Sequence, residues 1–149
     1  MLEAVQPIVA KSQAFSDILV LARKVANSNC AVLITGESGT GKELIARTIH
    51  DASSSRNGRY VPVNVAAVPT DLIESHLFGH QRGAFTGAHE NRTGAFRAAA
   101  NGTLLLDEIG DLPRETQPKL LRALEQNEIV PLGADTPVSV DSRVIAATS

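Results

Sequence analysis

The stretch Gly36-Glu37-Ser38-Gly39-Thr40-Gly41-Lys42-Glu43, entered from the apolar run Ala31-Val32-Leu33-Ile34, constrains the chain more than any other. It reads as a buried strand, a glycine-rich turn, and a helix beginning near Lys42. Glycines let the backbone curl so that successive N–H groups face one point, and the helix start adds positive potential there. Such a turn cradles a phosphate, and a lysine at position 42 reaches the β and γ oxygens of a nucleotide. The spacing fits G-x-x-x-x-G-K-[ST] everywhere except at the last position, where Glu43 stands. A tight turn without a ligand is the bland alternative. Three glycines between a strand and a helix, with the lysine correctly placed, point instead to a nucleotide site.

The rest of the chain supplies the sheet such a turn needs. Further apolar runs lie at Tyr60 to Val65, at Thr103-Leu104-Leu105-Leu106 and at Val144-Ile145-Ala146-Ala147. They are apolar throughout, not alternating, as expected of parallel strands buried on both faces. Between them fall helical patterns. From Ser12, an N-cap residue, Phe15, Ile18, Leu19, Ala22 and Val25 line one face. A helix follows Lys42 through Leu44, Ile45 and Ile49. A short one starts at Pro69-Thr70-Asp71, with Glu74 placed as in a capping box. Another begins near Glu115, with Pro118 in its first turn and Leu120, Leu121 and Leu124 as its buried stripe. Gly79 to Gly94 has no sustained period, and Gly133 to Pro137 reads as a turn. The pattern predicts an α/β fold with a parallel sheet over residues 12–149, preceded by a surface segment at 1–11.

Composition narrows the function. A formal net charge of −2, from 14 basic and 16 acidic residues, does not mark a general nucleic-acid or membrane binder. No apolar run approaches the ~20 residues that span a bilayer. The single Cys30 cannot form an internal disulfide, which suits a reducing, cytoplasmic setting.

Asp107-Glu108 is the second informative pair. Two acids directly after a leucine run sit at the exposed carboxyl end of a strand, where ligands of parallel sheets bind. In P-loop enzymes the first acid holds Mg²⁺ and the second orients the attacking water. Strand-end polar residues Asn64, Thr148 and Ser149 belong to the same edge.

Three segments carry a closer likeness: GESGTGKE at Gly36 to Glu43, FGHQRGAFTGA at Phe78 to Ala88, and AANGTLLLDEIGDLP at Ala99 to Pro113. With them the chain, from about Ile8 to Ser149, resembles the AAA+ ATPase domain of the sigma-54-dependent transcriptional activators, the bacterial enhancer-binding proteins. The hexapeptide Gly83-Ala84-Phe85-Thr86-Gly87-Ala88 is the most specific element, and the family commonly has glutamate where Glu43 stands. The resemblance implies a three-layer P-loop NTPase with a mainly parallel sheet. It implies that Gly36, Glu37, Ser38, Gly39, Thr40, Gly41, Lys42, Glu43 and Asp107 bind ATP, with Asp107 on Mg²⁺. Glu108 is then catalytic, with Asn64 switching its orientation. Ala99, Ala100, Asn101, Gly102, Thr103, Leu104, Leu105 and Leu106 match a second ATP-binding signature segment.

By the same resemblance the Gly83–Ala88 loop contacts the sigma-54 factor of RNA polymerase, with Phe85 and Thr86 at its tip. Thr148 and Ser149 occupy the position of a sensor for the γ-phosphate, where the family has asparagine after alanine-threonine. His76 replaces an acid of the family's pattern and Arg97 replaces a glutamate. His76 and His80, four residues apart, read as a solvated helix end. The family's sequence continues beyond the point matched by Ser149, into the arginine-finger region, a lid and usually a helix-turn-helix that binds DNA. A sheet incomplete at its C-terminus, with a bare edge beside the P-loop strand, is therefore expected. Ring self-association is implied, and an arginine finger is worth ~10³ to 10⁵ in turnover. The expected function is ATP hydrolysis coupled to remodelling of sigma-54 polymerase. The alternative is a non-catalytic nucleotide-binding remnant or interaction fragment.

Overall fold

The computed structural model describes residues 12–149 of the chain. The surface segment expected at 1–11 lies outside the described residues. Four strands form one parallel sheet: β1 (Val32–Thr35), β2 (Tyr60–Asn64), β3 (Thr103–Asp107) and β6 (Arg143–Thr148), in the order β1-β6-β3-β2. These are the four apolar runs. Helices cover both faces: α1 (Gln13–Val25) and α2 (Lys42–Ala52) on one, α3 (Ile73–Phe78), α4 (Ala95–Ala98) and α5 (Gln117–Gln126) on the other.

Alternation along β3 builds both cores at once. Leu104 and Leu106 point to the α3–α5 side, and Leu105 joins Ile145 and Ala147 against Ile45, Ala46 and Ile49 of α2. On the first side Phe78 stacks on Phe96, with ring centroids 5.6 Å apart. All three leucines of β3 are buried, which is why this strand reads as an unbroken apolar run.

Arg143 at the start of β6 fastens the two ends of the described chain together. Its buried guanidinium donates to Ala26 O at 3.0 Å and Val25 O at 2.9 Å. A cation thereby caps the C-terminal carbonyls of α1, where the helix dipole favours it. At the other end of that helix, Ser12 Oγ accepts from Phe15 N at 3.2 Å, as its N-cap role requires.

Three local expectations are corrected. The face of α1 turned inward is Phe15, Leu19 and Ala22, whereas Ile18 is 44% exposed. In α3 the cap position falls on Leu72, with no side-chain cap and no capping box. Pro69 to Leu72 instead closes a turn, Leu72 N to Pro69 O at 2.9 Å, and Glu74 pairs with Lys119 at 2.8 Å. In α5 the buried residue is the small Ala123. Leu120 is half-buried, and Leu121 is 54% exposed. The turn expected at 133–137 is present, and it closes a hairpin of two short strands, β4 (Glu128–Ile129) and β5 (Val138–Ser139).

β1 pairs only with β6 among the described residues, so its outer edge is bare and Leu33 is 60% exposed. Among the described residues no strand covers that edge, as expected. No helix among the described residues is long and apolar enough to cross a membrane.

Two predictions follow from this packing. Leu104→Ala lowers the unfolding free energy by about 3 kcal/mol, while Leu121→Ala changes it by less than about 0.5 kcal/mol, both read from urea denaturation. The second concerns His50, which packs on Tyr60 and shares a 2.7 Å hydrogen bond with Thr103 Oγ1. Burial holds its pKa below the ordinary 6.5, so the unfolded chain takes up the proton first as pH falls. Stability is full above pH 6.5 and declines below it. The decline becomes shallower in His50→Gln. It persists in part through His76, whose pKa is also lowered, by burial first and Arg92 second.

Candidate functional site

The parallel register lines up the carboxyl ends of the strands. Thr35 stands opposite Thr148, Ile34 opposite Ala147, and Asn64 opposite Asp107. The glycine turn grows from this row, because Gly36 N donates to Thr148 O at 3.3 Å and continues the ladder. Gly39 and Gly41 both take positive φ, +80° and +91°, which a side chain would resist. Gly41 then caps α2, and the Phe15 ring lies 3.5 Å from where its Cβ would be. Thr40 Oγ1 donates to Glu37 O at 2.7 Å and holds the turn closed.

Lys42 opens α2 and folds back over the turn. It is 8% exposed, and its Nζ donates to Gly36 O at 2.6 Å, Glu37 O at 3.0 Å and Ser149 Oγ at 3.3 Å. Two backbone carbonyls and one hydroxyl thus solvate the ammonium. Ser38 and Glu43 are exposed, Glu43 in the first turn of α2.

Asp107 and Glu108 close the other side. Asp107 Oδ1 accepts from Glu108 N at 2.9 Å, while Glu108 itself lies in the left-handed region at φ 55°, ψ 48°. That conformation costs a non-glycine residue roughly 1 kcal/mol, and neighbouring bonds hold it there. Glu108 O also accepts from Asp111 N at 3.0 Å in the 3₁₀ turn that follows. The side chain is caught by Ser149, whose Oγ donates to Glu108 Oε1 at 2.9 Å. Ser149 therefore bridges Lys42 and Glu108, a link that spans 107 and 41 positions of sequence.

Asn64 was expected to touch Glu108. Its Oδ1 instead accepts from Ala66 N at 3.1 Å and caps the 3₁₀ turn Val65–Ala67. The second signature segment falls elsewhere. Ala99 to Gly102 form a turn at the amino end of β3, with Asn101 N donating to Asp141 O at 2.6 Å. Thr103 to Leu106 are buried in the strand. About 13 Å of strand separates Thr103 from Asp107, so this segment bears on the site by carrying the two acids.

The Gly83–Ala88 loop forms a separate feature. Its stem is the bridge His80–Arg92, with Arg92 N donating to His80 O at 2.8 Å and His80 N to Arg92 O at 3.0 Å. A second tie runs from Gln81 N to Leu132 O at 2.9 Å, beside the β4–β5 hairpin. Within the loop, Gly83 N donates to Ala88 O at 2.9 Å. Phe85, 38% exposed, leans edge-on against the His80 ring at 4.9 Å. His80 is buried and shares a hydrogen bond with Ser75 Oγ, so it is not part of a solvated helix end. The hairpin and His80 are the loop's supports that sequence reasoning missed, since two-residue strands leave no pattern to read.

The description "Sigma-54 interaction domain" matches residues 8–149. A DNA-binding transcriptional regulator NtrC of Bradyrhizobium sp. (strain RP501 Parasponia) is 51% identical over 143 residues, 96% of this chain and 30% of that protein. The DNA-binding transcriptional activator HyfR of Escherichia coli (strain K12) is 54% identical over 142 residues, 95% of this chain and 21% of its own length. The chain thus spans less than a third of the curated relatives it matches. Among solved structures, NtrX from Brucella abortus in complex with ATP superposes with a TM-score of 0.86 at 39% identity, over 96% of this chain and 30% of that one. The P-loop NTPase domain of a sigma-54 activator from E. coli has the same fold, with a TM-score of 0.60 at 20% identity, over 94% of this chain and 78% of its own. By sequence match and by fold, the chain belongs to the sigma-54 interaction domain family of sigma-54-dependent transcriptional activators.

Proposed function

We propose that the chain binds Mg·ATP and that its hydrolysis is coupled, through the Gly83–Ala88 loop, to remodelling of sigma-54 RNA polymerase. The observation that carries this reading is the hydroxyl bridge from Lys42 to Glu108, which joins the phosphate cradle to the acid pair at one sheet edge. The amides of Gly39 to Glu43 and the start of α2 receive the β-phosphate. Lys42 exchanges the carbonyls of Gly36 and Glu37 for β and γ oxygens, so the ammonium stays solvated throughout.

Asp107 suits Mg²⁺, which takes one or two carboxylates together with phosphate oxygens. With Glu43 in place of a hydroxyl residue, Asp107 is the protein oxygen donor at that point. When bound, the ion neutralises phosphate charge. Glu108 accepts a hydrogen bond from the attacking water. The water oxygen bonds to the γ-phosphorus as the bond from phosphorus to the β–γ bridging oxygen breaks, and that oxygen leaves with ADP. For this Glu108 must come off Ser149, and we assign Asn64, across from Asp107 in the ladder, to hold it in the alternate state. Thr148 and Ser149 then report the γ-phosphate to the sheet.

Release of Phe85 from His80 offers sigma-54 an apolar anchor beside Thr86. In this reading a ring of subunits of the intact protein is the active form, because the family's finger arginine comes from a neighbouring subunit.

Equilibrium titration with ATP tests the cradle. Lys42→Ala weakens binding about 100-fold, the equivalent of two charge-assisted hydrogen bonds; an unchanged affinity would sink the site. Turnover tests the acid pair. Glu108→Gln keeps ATP affinity within a few-fold and loses hydrolysis, and the wild-type rate per chain rises with protein concentration. Hydrolysis undiminished in Glu108→Gln rules that role out.

A further inference from the structure

Between the stem of the Gly83–Ala88 loop and the β4–β5 hairpin lies a cavity of about 350 Å³. Arg92 and Arg97 line it together with Gln81, Asn91, Thr93 and Thr136, and no acidic side chain does. The ion pairs among the described residues are Lys119–Glu74 and Arg122–Glu128, so neither arginine has a carboxylate partner there. Arg97 is nonetheless positioned through its side chain, and Arg92 through its backbone alone. Arg97 Nε donates to Thr93 O at 2.9 Å and one terminal nitrogen to Arg92 O at 3.3 Å, leaving the other terminal nitrogen free. The backbone of Arg92 is pinned by its double hydrogen bond to His80. The cavity is thus a polar recess with one braced guanidinium, that of Arg97, a second and exposed one on Arg92, and neutral donors on its walls, chemistry suited to an oxyanion.

We propose that this cavity is an anion site, taking one phosphate or carboxylate group between Arg92 of the loop stem and Arg97 of α4, with Thr136 of the β4–β5 turn as a neutral donor on the facing wall. The site is separate from the phosphate cradle at Gly36–Glu43 and does not depend on the function assigned to that cradle. Its occupant needs two or more oxygens in the reach of guanidinium groups and a body small enough for the recess.

Thermal unfolding in the Lys42→Ala background tests it, because that change silences the cradle. Inorganic phosphate and succinate are titrated separately, with ionic strength held constant. A saturable rise in Tm of about 4 °C is expected at ten times the half-saturating concentration, with phosphate, succinate or both identifying the group accepted. The rise disappears when Arg97→Gln or Arg92→Gln is added. If Arg97→Gln lowers the starting Tm by losing its bonds to Thr93 and Arg92, the Arg92→Gln variant, whose side chain makes no hydrogen bond, provides the reading. No saturable rise with either ion overturns the proposal, as does an equal rise in the Arg92→Gln variant.

Discussion

The candidate site depends on the register between β3 and β6. Leu104 opposite Val144, Leu105 opposite Ile145 and Leu106 opposite Ala146 bring the ends of the two strands level. That alignment sets Asp107 and Glu108 beside Thr148 and Ser149, and β6 in turn places both against the P-loop strand. A slip of one residue would turn Leu105 to the wrong core and the acids away from Lys42. Because both faces of β3 are buried, such a slip exposes or misplaces three leucines, and hydrophobic burial enforces the geometry of a polar edge.

At that edge each charged group is satisfied by a neutral partner. Lys42 rests on carbonyls, Ser149 donates to Glu108, and Asp107 steadies the strained backbone of Glu108. In the proposed function, a phosphate entering the turn exchanges partners at Lys42 without leaving the ammonium bare. Exchange of hydrogen bonds costs less than exposing a buried charge without a partner. The same economy explains why a half-exposed phenylalanine can rest on His80: the ring covers a buried imidazole whose other side is held by Ser75.

Much of this was legible in the residues. Four unbroken apolar runs became the four parallel strands, and the glycine spacing located the turn and the start of α2. The pair Asp107-Glu108 fell at a strand end, because two acids cannot stay in a leucine core. What stayed hidden depended on distant partners. Leucines at helical spacing on α5 suggested a stripe, yet Ala123 is the buried residue, with only Leu120 of the leucines packed against the core beside it. Asp71 looked like a cap, but Pro69 to Leu72 satisfies its own backbone in a turn. Ser149 as the link between Lys42 and Glu108, and the burial of His80, come from tertiary contacts that no local pattern encodes.

The pairing of β1 has a kinetic consequence. The P-loop strand is among the early residues of the chain, yet its ladder partner is β6, more than a hundred residues later. Arg143, which caps α1, is separated from Ala26 by 117 positions. During vectorial synthesis the helix end and the strand that frame the glycine turn wait for the last described strand to emerge. Non-local parallel pairing of this kind is slow to close. A nascent chain thus carries its nucleotide motif long before it has a nucleotide pocket. Meanwhile, Val32 to Ile34 remain an unpaired apolar segment that other strands could capture.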